Sequence, residues 1–170
     1  MAKAKSRKST AKLETPTDIS HNAVPELAEA LNGLVANSYA LYAKTKNFHW
    51  HVSGPHFRDY HLLFDEQAGE IFATIDDLAE RVRKLGARTV HSIGEIARLQ
   101  TIKDNEKKFV SPGDMLKELM ADNKTVIKAM RAAHEVADKH EDVATASILE
   151  NFIDQAEKRN WFLFEASRKG

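Results

Sequence analysis

Residues 61–80 read HLLFDEQAGEIFATIDDLAE and lie within one long helical stretch that carries four side chains able to bind a metal. An α-helix turns by about 100° per residue, so with His61 at zero on a helical wheel, Asp65 falls at about 40°. On the same wheel Asp76 falls at about 60° and Glu80 at about 100°. The other acids of the stretch fall roughly opposite, at about 140–180°, namely Asp59, Glu66, Glu70 and Asp77. The spacing therefore separates a candidate ligand face from an ordinary charged face.

These four residues cannot all bind one metal ion within a single chain. A helix rises by about 1.5 Å per residue, which places Asp65 and Asp76 about 16 Å apart along the axis. First-row metals hold their ligands at about 2 Å. If all four residues serve one site, a second copy of the chain must lie antiparallel across a two-fold axis. Each chain would give His61 and Asp65 to one site, and Asp76 and Glu80 to the other, which predicts a homodimer with two equivalent intersubunit metal sites.

The first long helix is predicted over residues 20–50, because apolar side chains recur there at three- and four-residue spacing. Its apolar stripe consists of Leu27, Leu31, Leu34, Leu41 and Phe48. His49 falls on the same side of the helix as Leu27 and Leu31, so we expect its ring to point into the core or into an interface. Taken alone, such a histidine is more often a hydrogen-bonded core residue than a ligand.

The second long helix is predicted to begin where the sequence VSGP at residues 52–55 interrupts the first pattern. Pro55 suits the first position of a helix, since its fixed φ angle is helical and its missing N–H is not needed there. The helix should run to about Leu85 and end at Gly86.

The rest of the chain is predicted to hold two further long helices and one short one. In the long connection 88–110, Ser92 followed three residues later by Glu95 is a capping signal for a short helix. Further long helices are predicted over residues 111–139 and 142–167. Four long helices with one long middle connection predict an all-α, ferritin-like four-helix bundle with a short extra helix between helices 2 and 3. A three-helix or irregular helical domain is less compatible with four separate start signals.

The composition is that of a soluble, globular chain of one domain. The 170 residues are 42% hydrophobic and 29% charged, and cysteine is absent, which excludes disulfides and thiolate metal sites. We see no apolar run long enough to cross a membrane and no signal peptide, so we expect no membrane partner and a cytoplasmic protein.

Positive charge is concentrated at the N-terminus, although the formal net charge of the chain is zero. Residues 1–12 contain no acid and five cations, namely Lys3, Lys5, Arg7, Lys8 and Lys12. We predict a basic, disordered tail over residues 1–19 and the helical domain over residues 20–170. The tail is either a merely solubilising terminus or a sequence-independent DNA-binding segment, and we favour DNA binding because the cations would release counterions from phosphates.

Several motifs together give the chain a resemblance to a known family. They are NFHWHVSG at residues 47–54, IDDLAER at 75–81, KLG at 84–86, Thr145-Ala146, and KRNW at 158–161. With His61 and Asp65, this pattern closely resembles the Dps family, the DNA-protection-during-starvation proteins or mini-ferritins. The resemblance covers essentially all of the chain after the tail.

The resemblance implies a dodecameric shell, built from two-fold dimers, that acts as a ferroxidase and stores iron. The family oxidises Fe(II), preferentially with hydrogen peroxide, keeps the ferric mineral in its cavity and protects DNA from oxidative damage. Its catalytic metal ligands correspond to His49, His61 and Asp65 of one subunit and to Asp76 and Glu80 of the two-fold mate. Many members bind DNA through a basic tail, so the resemblance also implies stress response, DNA condensation and association with the nucleoid.

The chemistry of the ligands supports iron as the metal. Imidazole and carboxylate without thiolate suit iron, manganese, zinc or cobalt, and redox work requires iron among these because zinc cannot change its valence. Zinc should compete for the same ligands. The alternative for His61 and Asp65 is an ordinary side-chain pair on a helix surface that binds no metal. An ordinary ferritin is disfavoured, because no Glu is followed three residues later by His.

A rival from another functional class is a non-enzymatic, DNA-compacting nucleoid protein.

The resemblance further implies iron-entry pores on the three-fold axes, near the start of the last helix. The candidates for their acidic lining are Glu141, Asp142 and Asp138. Val143, Ala144 and Ser147 stand where many relatives carry additional carboxylates, which would lower the charge of the pore.

Overall fold

The computed structural model describes residues 13–168, which form five helices. They are α1 (Val24–His51), α2 (Phe57–Lys84), α3 (Ile93–Leu99), α4 (Pro112–Lys139) and α5 (Val143–Ala166). No strand occurs among the described residues, so the predicted ferritin-like bundle with a short helix between helices 2 and 3 is confirmed. The five cations of the basic tail lie outside the described residues, and the division between residues 19 and 20 stays a prediction.

The four long helices pack as two antiparallel pairs. α1 lies against α2, and α4 lies against α5, with only a few residues connecting the partners of each pair. The two pairs join mainly through α1 and α4, and α3 packs on α1 within the long connection between them. The apolar stripe predicted for the first helix is buried in the core: Leu27, Leu31, Leu34, Leu41 and Phe48. In the described part of the chain, no helix is both long and apolar enough to cross a membrane.

Two of the predicted helix starts are confirmed by side-chain caps. The Ser92 hydroxyl accepts a hydrogen bond from the backbone N–H of Glu95 at 3.1 Å. Ser111 accepts one from the N–H of Asp114 at 3.2 Å, with Pro112 as the first helical residue. Each cap satisfies a backbone donor that the helix cannot pair internally and stabilises it by about 1 kcal/mol.

The predicted end of the second helix at Gly86 is also confirmed. The Gly86 N–H donates to the Arg83 carbonyl at 3.0 Å, and the Ala87 N–H donates to the Val82 carbonyl at 3.2 Å. This pair of bonds needs a left-handed residue, and Gly86 has a φ of 81°. Glycine therefore closes α2 at low conformational cost.

The predicted role of Pro55 at the first helical position is wrong. α2 begins at Phe57, two residues later, and Pro55 lies in a turn. The Phe57 N–H donates to the Gly54 carbonyl at 3.0 Å, and Gly54 has a φ of 105°. The turn reverses the chain so that the end of α1 meets the beginning of α2, where the candidate histidines lie.

Candidate metal centre

His49, at the end of α1, and His61, in the second turn of α2, lie in direct contact. Their rings are stacked with centroids 3.8 Å apart and planes inclined by 24°. The ring nitrogen Nδ1 of His49 lies 2.8 Å from the carbonyl oxygen of His61, and Nδ1 of His61 lies 2.9 Å from the carbonyl oxygen of His49. This reciprocal pairing holds both rings in place.

The reciprocal pairing also determines which ring nitrogen can bind a metal. A carbonyl oxygen can only accept a hydrogen bond, so each Nδ1 must carry a hydrogen. In the neutral ring the lone pair then lies on Nε2, which is the usual arrangement of a metal-binding histidine whose other nitrogen is held by a backbone oxygen. The hydrogen-bonded core role considered for His49 and the ligand role are therefore compatible: Nδ1 serves the fold, and Nε2 is available to a metal.

Asp65 is the third candidate ligand at this end of α2. Its carboxylate oxygen Oδ1 lies 3.8 Å from Nε2 of His49 and 2.7 Å from Nζ of Lys46. The hydrogen bond from Lys46 is the main cause that lowers the pKa of Asp65 below its ordinary value, and the charge of Lys46 acts in the same direction. The structure thus brings together His49, His61 and Asp65, with the carboxylate held in its ionised form.

Asp76 and Glu80 do not join this group within the same chain. Both side chains are exposed further along α2, and Glu80 pairs instead with Lys84 at 3.1 Å. His49, His61 and Asp65 are neighbours, but among the described residues no three histidine, aspartate or glutamate side chains are arranged so that they could hold a metal ion. That one subunit supplies only part of a coordination sphere stays a prediction from the axial distance between Asp65 and Asp76.

The surface around the candidate ligands is apolar. Leu62 and Phe72 lie on the ligand face of α2, and about half of each side chain is exposed. Phe57, whose ring centroid is 5.0 Å from that of His61, is also exposed, as is Trp50 at the end of α1. Exposed apolar side chains grouped around polar ones are typical of a surface that another protein covers.

The three pore candidates have different surroundings in the subunit. Asp142 is only 2% exposed and caps α5, because its carboxylate accepts a hydrogen bond from the Thr145 N–H at 3.0 Å. The same carboxylate accepts a hydrogen bond from the Arg81 side chain at 2.5 Å. Asp138 pairs with His134 at 3.2 Å, and Glu141 is exposed in the turn before α5. The assignment of these acids to a pore stays a prediction, and the charge of Asp142 is already offset by Arg81.

Lys46 is a residue near the candidate centre that the sequence interpretation missed. It precedes His49 by three residues, so both lie on one face of α1. That spacing was visible in the sequence, but only the structure shows that the lysine contacts a candidate ligand.

The chain is similar to proteins of one kind in both sequence and structure. Residues 28–169 match the family model of the ferritin-like domain. Over 137 residues the chain is 34% identical to a DNA protection during starvation protein of Brevibacillus brevis, covering 81% of this chain and 91% of that protein.

Two solved structures extend the similarity to the fold. Dps from Thermosynechococcus elongatus gives a TM-score of 0.84 at 32% identity, covering 88% of this chain and 94% of that chain. A Dps protein from Vibrio cholerae O1 gives a TM-score of 0.86 at 27% identity, covering 94% of this chain and 100% of that chain. The latter is described as a member of a broad superfamily of ferritin-like diiron-carboxylate proteins.

Proposed function

The chain belongs to the Dps family of ferritin-like proteins, and from this premise we propose that it is a ferroxidase that stores iron. The observation that carries the proposal is the pair of stacked histidines, one on α1 and one on α2, with reciprocal Nδ1 hydrogen bonds beside Asp65. We propose that Asp76 and Glu80, which are exposed further along α2, serve the site of another subunit. Fe(II) is the substrate, and hydrogen peroxide is the preferred oxidant. The ferric product is stored inside a homo-oligomeric shell.

Each residue of the proposed site has a distinct task. His49 and His61 bind Fe(II) through Nε2, and Asp65 supplies an anionic oxygen from the same subunit. Asp76 and Glu80 of the two-fold mate complete the site and favour the ferric product, because anionic oxygen stabilises the higher charge. Two Fe(II) ions lose one electron each, and one peroxide molecule takes both electrons and two protons to give two water molecules. Zinc binds the same ligands without changing valence and therefore inhibits.

The proposal is tested by removing the distal acids. Purified protein is loaded anaerobically with Fe(II), peroxide is added, and ferric absorbance is followed in the wild type and in an Asp76→Ala/Glu80→Ala variant. We expect rapid oxidation in the wild type and only the slow background rate in the variant.

A matched control removes the same charge from the opposite face of α2. The Glu66→Ala/Asp77→Ala variant should oxidise Fe(II) at close to the wild-type rate. Equal, slow rates in the wild type and in the Asp76→Ala/Glu80→Ala variant would reject the site.

We also propose protection of DNA by sequence-independent binding through residues 1–12. The support is the five cations without an acid and the similarity to a DNA protection during starvation protein. Deleting residues 1–12 should abolish retardation of plasmid DNA in a gel while leaving Fe(II) oxidation unchanged. Retardation that survives the deletion would show that the tail is not the DNA-binding segment.

The rival function, compaction of DNA without oxidation of iron, makes the opposite prediction for the metal site. A wild-type protein that retards DNA but oxidises Fe(II) no faster than the Asp76→Ala/Glu80→Ala variant would favour that rival.

We further propose a dodecamer, located in the cytoplasm with the nucleoid. Light scattering should give about twelve times the subunit mass of 19.1 kDa.

A further inference from the structure

One side of α4 exposes cations but no acid over about four helical turns. Between positions 115 and 134, the exposed side chains are those of Lys117, Ala121, Lys124, Thr125, Lys128, Arg131 and Ala132. On a helical wheel with Lys124 at zero, Lys117 falls at about 20° and Lys128 at about 40°. Arg131 falls at about −20° on the same wheel. The four cations therefore share one face, about 21 Å long, which we call the basic face of α4.

The acids of the same stretch are turned away from the basic face. Glu118 and Asp122 are partly buried and pair with Lys44 of α1, at 3.1 and 2.6 Å. The next exposed acids along α4 are Asp114 and Glu135, one beyond each end of the basic face. A continuous positive surface thus lies between them.

Two lysines of the basic face keep their charge uncompensated. Arg131 pairs with Glu157 of α5 at 2.5 Å, and Lys117 lies 3.4 Å from an acid in the first turn of α4. Within the described part of the chain, Lys124 and Lys128 have no such partner. These two lysines are therefore available to an external anion.

The composition of the basic face indicates which anion it fits. Its other exposed residues are small, so no large apolar side chain could enter a lipid bilayer or a protein pocket. The phosphates of duplex DNA need only cations within reach, and contacts to them carry no sequence information. The face also stands out from a negative background. Residues 13–170 contain 20 cations and 25 acids, since residues 1–12 contain five of the 25 cations and no acid.

We propose that the basic face of α4 is a second contact surface for the phosphate backbone of duplex DNA, on which Lys124 and Lys128 each bind a phosphate. This inference rests on the proposed DNA binding by residues 1–12. That segment brings DNA to the shell, and the basic face adds contacts that slow its release. Residues 1–12 stay necessary for retardation in a gel, because the few contacts of one basic face bind only weakly by themselves.

The test measures how DNA binding depends on salt. A short fluorescein-labelled duplex is titrated with the assembled protein at several KCl concentrations, and its fluorescence anisotropy is followed. Each lost phosphate contact lowers the slope of log K against log[salt] by about 0.9. For Lys124→Gln/Lys128→Gln we expect a slope smaller by about two for each basic face that contacts the DNA, and an affinity about tenfold lower, equally for duplexes of unrelated sequence. Lys124→Arg/Lys128→Arg, which keeps both charges, should bind like the wild type.

Controls separate a contact surface from general effects of charge and assembly. Arg98→Gln/Lys103→Gln removes the same charge from α3 and the connection after it, where both side chains are exposed, and should leave the slope close to that of the wild type. Light scattering verifies the assembly of every variant. If Lys124→Gln/Lys128→Gln does not assemble whereas the arginine variant does, the basic face serves contacts between subunits, and the inference is wrong.

The possible failures are distinguishable. If the wild type does not bind the duplex, the proposed DNA binding by residues 1–12 is wrong, and the inference about α4 is wrong with it. If the wild type binds but Lys124→Gln/Lys128→Gln has the same slope and affinity, the N-terminal segment acts alone and the role of the basic face is overturned. A variant that binds DNA normally but no longer binds phosphatidylglycerol vesicles that the wild type binds would assign the face to membranes and overturn the inference as well.

Discussion

At the scale of single residues, the candidate centre depends on the reciprocal hydrogen bonds between His49 and His61. Each Nδ1 contacts the backbone oxygen of the other histidine, so each ring is oriented by the fold before a metal binds. Preorganised ligands lose little conformational freedom on binding, and their removal therefore reduces metal affinity directly.

We predict that His61→Ala weakens binding of Zn²⁺ by about 10–100-fold, because it removes a ligand together with the ring that stacks on His49. His51→Ala is the matched control, since His51 is exposed at the end of α1 and its Nδ1 contacts only the carbonyl of Asn47, within its own helix. Calorimetric titration of both variants measures the effect. Equal affinities for Zn²⁺ would show that His61 is not a ligand.

Gly86 is the residue at which the end of α2 tolerates least change. A Cβ atom there would lie 3.2 Å from both the backbone nitrogen and the hydroxyl oxygen of Thr15, in addition to the strain of a positive φ. We predict that Gly86→Ala lowers the free energy of unfolding by about 1–2 kcal/mol.

Gly113→Ala provides the comparison for Gly86→Ala, since nothing lies within 4 Å of a Cβ at Gly113, in the first turn of α4. It should be neutral or stabilising. The denaturant midpoints of the two variants compare their stabilities. A Gly86→Ala variant as stable as Gly113→Ala would contradict the prediction.

At the scale of elements, α1 and α4 are joined by a partly buried ionic cluster. Lys44 of α1 is buried and lies 2.6 Å from Asp122 and 3.1 Å from Glu118, both on α4. Burial raises the pKa of Asp122, and the hydrogen bond from Lys44 opposes that rise. The lysine therefore helps to keep ionised a carboxylate that is partly shielded from water.

Lys44→Met should destabilise the protein by about 1–3 kcal/mol at neutral pH, because it leaves two half-buried carboxylates without their counter-charge. The loss should shrink as the pH falls, since a carboxyl group whose folded-state pKa is raised takes up a proton before its unfolded counterpart does. The triple variant Lys44→Met/Glu118→Gln/Asp122→Asn should recover much of the stability. Denaturation at two pH values tests this, and a loss that is independent of pH would contradict it.

Sequence features that act on nearby residues predicted the ends of the helices well, whereas contacts between residues far apart in the sequence could not be predicted. Ser92 and Gly86 act on neighbours within a few residues, and their predicted roles are confirmed. The predicted helix start at residue 111 is likewise marked by a local cap, from Ser111. The predicted position of Pro55 in α2 was wrong because its fixed φ angle suits both the first residue of a helix and the second residue of a turn. Lys44 could not be foreseen, since its partner Asp122 is 78 residues away.

At the scale of the whole molecule, the candidate ligands of α2 fall into two groups that are separated along the helix. His49, His61 and Asp65 meet at one end of the bundle, while Asp76 and Glu80 are exposed about 16 and 22 Å further along the helix than Asp65. The helical wheel and the helix length were enough to predict this separation along α2, and the division of the ligands between two subunits stays a prediction. The sequence could not show how the two histidines orient each other, because that depends on the turn between α1 and α2.

The division predicts that two inactive chains can restore activity when they assemble together. One chain carries His61→Ala/Asp65→Ala, and the other carries Asp76→Ala/Glu80→Ala. A dimer of either chain alone has a defect in both sites. In a mixed dimer, one site combines both defects and the other has every ligand intact. Random mixing should therefore restore about a quarter of the wild-type sites, since half of the dimers are mixed and one of their two sites is complete.

The measurement is Fe(II) oxidation by peroxide after the two chains are unfolded and refolded together, compared with the same chains refolded apart and then combined. Recovery only in the sample refolded together would establish a site shared between subunits, because a site within one chain is defective in both variants and mixing cannot repair it. Absence of recovery, with assembly verified by light scattering, would rule out the shared site. The axial separation along α2 would then mean that Asp76 and Glu80 do not serve the same metal centre as the histidines.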